Sequence, residues 1–126
     1  MSPEIVSQVV KNYFAALRAM NQNAWVNTFA EDAVSHDPVG APPIEGHQKL
    51  GEFFQSVTNA FKEVGLTEDH VFIAGNQAAV KWTGTGVSKQ GNNVRFEGID
   101  VITVNEAGKI TGVEAFWNPA EMVAQL

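Results

Sequence analysis

Val94-Arg95-Phe96-Glu97-Gly98-Ile99-Asp100-Val101-Ile102-Thr103-Val104 alternates with a period of two, and this stretch decides the fold class. Val94, Phe96, Gly98, Asp100, Ile102 and Val104 share one face of a strand, and all but Asp100 are apolar or glycine. A carboxyl therefore lies among core residues. The opposite face carries Arg95, Glu97, Ile99, Val101 and Thr103. Its middle is too apolar for a fully solvated surface, which points to a homodimer formed through the sheet.

Outward from this strand, turn signals at Gly75-Asn76, Gly91-Asn92-Asn93 and Asn105-Glu106-Ala107-Gly108 bound further alternating runs. Strands are expected at 67–74, 77–88, 93–105 and 109–118. Upstream the period becomes helical. Val6, Val9, Val10, Tyr13, Leu17 and Met20 recur at helical spacing, with Ser2 placed to cap and Pro3 in the first turn. A second, shorter helix from about Asn23 carries Trp25, Val26 and Phe29, and Ala33 to Asp37 is a short extended piece ended by Pro38. Gly40 to Gly46 reads as loop. A third helix from about His47 to Val64 presents Leu50, Phe53, Phe54, Val57 and Phe61 on one side. Three helices followed by consecutive hairpins predict an α+β fold, an antiparallel sheet with the helices on one face.

Composition bounds the function. With 126 residues, 44% of them hydrophobic, and no linker-like segment, the chain is read as a single domain over 1–126. Fourteen acidic against eight basic residues give a net charge of −6, and the basic residues are scattered, so nucleic acid and anionic membrane are poor partners. The absence of cysteine removes disulfides, thiolate catalysis and zinc–thiolate sites. No apolar run approaches a bilayer-spanning length and no leader pattern is visible, so a cytoplasmic protein is expected. His36, His47 and His70 are not at metal-ligand spacing and have acidic neighbours, which assigns them to the surface. Neither a metal nor a cofactor is expected.

Three polar groups on otherwise apolar segments carry the chemistry. Burial disfavours an ionised carboxyl, so Asp100 is expected to stay protonated and donate a hydrogen bond. Tyr13, on the core stripe of the first helix, is a second neutral donor. Two such donors converging on one point stabilise a developing oxyanion without attracting an anion beforehand, which favours enolates. Asp37, in His36-Asp37-Pro38-Val39-Gly40, stands at an element's end beside loop, where it can stay ionised and act as a base. Each residue alone has a plainer reading: a satisfied core phenol, a turn aspartate, a carboxyl paired with a backbone amide. Their conjunction points to proton transfer in an apolar pocket.

The conjunction is also what makes the sequence recognisable. Tyr13-Phe14-Ala15-Ala16-Leu17, Phe29-Ala30-Glu31-Asp32-Ala33, His36-Asp37-Pro38-Val39-Gly40, Ile99-Asp100 and Ala107-Gly108-Lys109 through Ala115-Phe116-Trp117 together resemble the bacterial Δ5-3-ketosteroid isomerases. The 24-residue separation of Tyr13 and Asp37 is the family's. The resemblance implies a cone-shaped fold like nuclear transport factor 2, with helices on a curved, mainly antiparallel sheet, and a homodimer. It also implies Asp37 as general base, with Tyr13 and Asp100 as oxyanion donors. Phe29, Val39, Phe53, Phe54, Trp82 and Trp117 are then expected to line a small apolar ketone such as a steroid. Phe54 stands where the family often has a tyrosine bonded to the catalytic one. Gly84 and Gly86 stand where bulkier side chains are usual, which predicts a wider or differently shaped pocket. The alternatives are a SnoaL-like polyketide cyclase and a noncatalytic small-molecule-binding domain.

Overall fold

The Ser2 side chain accepts a hydrogen bond from the Ile5 amide and Pro3 pre-sets the first turn, so helix α1 begins at once and spans Pro3–Arg18. A computed structural model describes all residues, 1–126. Arg18 closes α1 and reaches across to the Leu66 carbonyl and Glu68, laying the helix over the sheet. The approach is close: a Cβ at Gly65 would meet Arg18 Cγ at 3.1 Å.

Asn21 caps α2 (Gln22–Val26) by accepting from the Ala24 amide. Phe29, expected on this helix, instead opens β1 (Phe29–His36). Pairing with the last strand decides this, because Phe29 lies opposite Ile110 and the ladder then shifts before Val34. The shift puts Glu31 and Asp32 outward together and hides the period of two. After β2 (Ile44–Glu45), helix α3 covers only Gly46–Thr58, six residues short of the expected end. Phe61 and Val64 continue its helical spacing, yet both are buried on β3 (Phe61–Ala74), where Phe61 pairs with Ser88 and Val64 with Gly86. Tertiary pairing overrides the local pattern.

The remaining strands agree with expectation: β4 (Gln77–Ser88), β5 (Asn93–Val104) and β6 (Ile110–Phe116). A short terminal helix α4 (Pro119–Val123) follows, capped by Asn118. The six strands form one sheet in the order β2-β1-β6-β5-β4-β3, antiparallel except between β1 and β6. Bulges bend the long β3 around the helices. The core lies between the concave sheet face and α1 to α3, and the alternating face of β5 points into it as expected: Val94, Phe96, Asp100, Ile102 and Val104 are buried. No helix is long and apolar enough to cross a membrane.

Candidate active site

Tyr13 from mid-α1, Asp37 just past β1 and Asp100 from mid-β5 all line one pocket between the helices and the sheet. Its walls are mostly apolar: Phe53 and Phe54 come from α3, Trp82 and Phe96 from β4 and β5, and Trp117 follows β6. The pocket holds about 610 Å³ of unfilled space, counting its open mouth.

Asp100 is 3% exposed, and its Oδ1 accepts from Trp82 Nε1 at 3.0 Å. Burial, then the charge of Asp37, pushes its pKa up to about 8, against the opposing Trp82 hydrogen bond. It is therefore mainly neutral at pH 7. An indole N–H can only donate, so the bonded Oδ1 acts as acceptor and Oδ2 is left to carry the proton.

Asp37 is half-buried and accepts from Trp117 Nε1 at 2.6 Å. Burial pushes its pKa up to about 6, with the indole working against that rise. At neutral pH it is mostly ionised. The chain beyond it is pinned: Val39 N donates to the Ala115 carbonyl at 2.8 Å and Ala41 N to that of Pro38.

Tyr13 is also 3% exposed, with the rings of Phe14, Trp25 and Phe29 packed around it. Burial, reinforced by Asp100 and Asp37, pushes its phenol well above the ordinary value. It is a neutral donor. The three groups thus differ in state at pH 7, Asp37 mostly ionised and Asp100 and Tyr13 mainly protonated, and all line the same apolar pocket.

Of the six expected lining residues, Phe53, Phe54, Trp82 and Trp117 line the pocket and two do not. Phe29 is 1% exposed behind the wall, with ring centroids 5.9 Å from Tyr13 and 4.9 Å from Trp25. It backs the tyrosine. Val39 lies on the loop after Asp37 and is 46% exposed, because its anchored backbone turns the side chain outward. His47 is not free at the surface either, since its Nε2 lies 2.8 Å from the Phe29 carbonyl and ties α3 to β1.

Neither Gly84 nor Gly86 lines the pocket, and a Cβ at Gly86 would come within 2.6 Å of the Glu63 carbonyl oxygen. Across the β4–β5 ladder Gly84 faces Phe96 and Gly98 faces Trp82. A Cβ at Gly84 would come within 2.6 Å of the Phe96 ring, and one at Gly98 within 2.7 Å of Trp82. Each glycine makes room for the aromatic ring opposite it. Trp82, Phe96 and Trp117 consequently form a continuous wall, with ring centroids 5.6 to 6.1 Å apart. Phe96, read only as a core residue from the sequence, belongs to this wall. The roles of the Trp82 and Trp117 indoles as donors were also missed; the available signal was that a buried indole N–H needs a partner. No cluster of three or more His, Asp or Glu side chains stands ready to hold a metal.

Residues 10–113 match the SnoaL-like domain. The chain belongs to the SnoaL-like family. Within this SnoaL-like frame it is 32% identical over 123 residues to a steroid Δ-isomerase of Nocardioides simplex, spanning 98% of this chain and 97% of that protein. Among solved structures it is similar to the epoxide hydrolase/cyclase-like enzyme SalBIII, which has a role in pyran ring formation in the polyether salinomycin. That match has 27% identity and a TM-score of 0.82 over 92% of both chains. The fold also matches RV0760c of Mycobacterium tuberculosis in complex with estradiol-17beta-hemisuccinate, at 21% identity and a TM-score of 0.82 over 93% of this chain and 96% of that one. The α+β architecture expected from the sequence is the NTF2-like fold of this family.

Proposed function

We propose that this SnoaL-like protein is an isomerase that shifts a carbon–carbon double bond by proton transfer next to a ketone, on a steroid or similarly flat apolar substrate. The observation that carries the reading is that two carboxyls, Asp37 and Asp100, and the Tyr13 phenol line one mostly apolar pocket, where burial raises the proton affinity of all three and of Asp100 more than Asp37. A base and an acid thus coexist at neutral pH.

Asp37 takes a proton from the carbon between the ketone and the alkene, and the electron pair moves onto the ketone oxygen as a dienolate. The Tyr13 hydroxyl and Asp100 Oδ2–H donate to that oxygen. The protonated Asp37 then returns the proton to the far alkene carbon, the dienolate collapses to a conjugated enone, and Asp37 is regenerated. Charge moves only within the site. From Asp100 to Phe96, β5 advances about 14 Å, at ~3.4 Å per residue, along the aromatic wall. That length suits a polycyclic ketone whose oxygen sits at the Asp100 end. The 32% identical steroid Δ-isomerase supports the same substrate class.

The test is conversion of a Δ5-3-ketosteroid to its Δ4 isomer, followed by the ultraviolet absorbance of the conjugated enone, with wild type and Asp37→Asn compared. Turnover abolished by the substitution is expected. No turnover by wild type would remove the steroid assignment.

A second reading is supported by the same base–acid pair and by the 27% identical SalBIII. In a ring closure, a substrate hydroxyl would lose its proton to Asp37 as its oxygen bonds to an epoxide carbon, the epoxide C–O bond there would break, and Asp100 would protonate the released oxygen. The proton on Asp37 would then pass back to Asp100. Trials with hydroxy-epoxides separate it from the first. We also propose that the protein is a homodimer through the outer sheet face, where the paired Ile99 and Phe116 are 45% and 50% exposed.

A further inference from the structure

Each of the three tryptophans stands beside one of the three site groups. Trp117 donates to Asp37 and Trp82 to Asp100. Trp25 is different: it is 2% exposed, and its Nε1 is a buried side-chain polar atom with no hydrogen-bond partner. Such a group is normally paired, and an orphaned one at a reactive site calls for an explanation. Trp25 and Tyr13 both line the pocket, with ring centroids 5.7 Å apart and planes tilted by 50°. The other rings around Trp25, those of Phe29 and Phe54, offer no acceptor in their side chains.

We propose that Trp25 is a positioning residue for Tyr13, its indole N–H donating to the phenolic oxygen as that oxygen gains charge. The proposal rests on the oxyanion role given to Tyr13. At rest, Tyr13 Oη is neutral and a modest acceptor. When its proton is shared with a developing enolate, negative charge builds on Oη and the nearby N–H becomes a charge-assisted donor. Burial and the two carboxyls raise the Tyr13 proton affinity, and the indole 5.7 Å away acts against that rise. Phe54, with no hydroxyl, cannot serve this function from α3. Trp25 therefore supplies from α2 the donor that an aromatic alcohol at position 54 would provide.

Tyr13 is the sole tyrosine, so a fluorinated tyrosine of lower phenol pKa, incorporated throughout the chain, reports on it alone. The phenol is titrated by fluorine NMR in otherwise wild-type protein and in Trp25→Phe, which keeps an aromatic ring but loses the N–H. The midpoint is expected to rise by about one pH unit in Trp25→Phe, roughly a tenfold change in acidity. In protein with tryptophan intact and 15N in its indoles, the Trp25 N–H resonance is expected to move downfield as the phenol ionises. An unchanged midpoint in folded Trp25→Phe, or an indole resonance that ignores the titration, would overturn the proposal. A drop in kcat without a midpoint shift would mark Trp25 as packing only and overturn it equally. Neither readout requires a substrate, so a chain that fails to isomerise a ketosteroid while passing both tests loses the functional reading and keeps the Trp25–Tyr13 pairing.

Discussion

Trp117 Nε1 lies 2.6 Å from Asp37 Oδ1, joining residues 80 apart in the sequence and aiming a group that can only donate at the proposed base. The bond favours the ionised carboxylate and limits the rise that burial imposes. Trp117→Phe keeps the wall and loses the donor. The acidic limb of kcat/KM should then move upward by about one pH unit, reducing the rate near pH 5 by roughly tenfold. The two proteins should converge as Asp37 becomes fully ionised. Rate profiles measured between about pH 5 and pH 8 check this, and superimposable acidic limbs would show that the indole does not tune the base.

The pH profile of the wild type should be bell-shaped. Activity needs Asp37 ionised and Asp100 protonated, so kcat/KM rises through about 6 and falls through about 8. Because the two carboxyls interact, these midpoints belong to the pair. Asp100→Asn still offers an N–H donor but has no proton to lose. Its rate should fall by about 10- to 100-fold while the basic limb disappears. A basic limb that survives in Asp100→Asn would assign it to another group.

Stability should carry the opposite sign from that of an ordinary salt-bridged aspartate. At pH values below about 4, Asp100 is protonated folded or unfolded, and its burial carries no ionisation penalty. As pH rises, the unfolded chain releases this proton at its ordinary value of 3.8 while the folded chain holds it to about 8, so folding is progressively disfavoured across that window. The loss by pH 8 is on the order of 5 kcal/mol. Asp100→Asn should therefore be more stable than wild type near pH 8 and nearly equal near pH 4, as measured by denaturant unfolding at both. Equal gains at the two pH values would contradict the buried-acid account.

The strand face that set the fold class was legible because a period of two survives any register, whereas the end of α3 was not. Phe61 and Val64 fit a helix as well as a strand, and only pairing with Ser88 and Gly86 decides between them. The second half of β1 was expected as the extended piece from Ala33, but its start at Phe29 was hidden by the bulge, where Glu31 and Asp32 break the alternation. α4 had a usable signal in Asn118-Pro119, a cap followed by a first-turn proline, but spans only five residues. In the site, Tyr13, Asp37 and Asp100 stand out in the sequence because they are polar where neighbours are not. The Phe96–Gly84 and Trp82–Gly98 pairs depend on cross-strand register, which composition does not contain. The indole donors depend on which way a ring turns, which burial patterns do not encode.

The outer face gives a prediction independent of chemistry. Phe116→Glu places a charge opposite Ile99, at the centre of the proposed dimer surface. Sedimentation should show a dimer for wild type and a monomer for the variant, with the folded far-ultraviolet spectrum unchanged. A wild-type monomer, or a variant dimer of undiminished strength, would remove this face from any assembly.

The most direct test follows the proton itself. A ketosteroid deuterated at the carbon between ketone and alkene is converted in ordinary water by wild-type protein, and NMR locates the deuterium in the product. One base carrying the proton across a mostly apolar pocket should deliver a substantial share of the label to the far alkene carbon. A product whose far carbon bears only solvent hydrogen would contradict the single-base transfer assigned to Asp37.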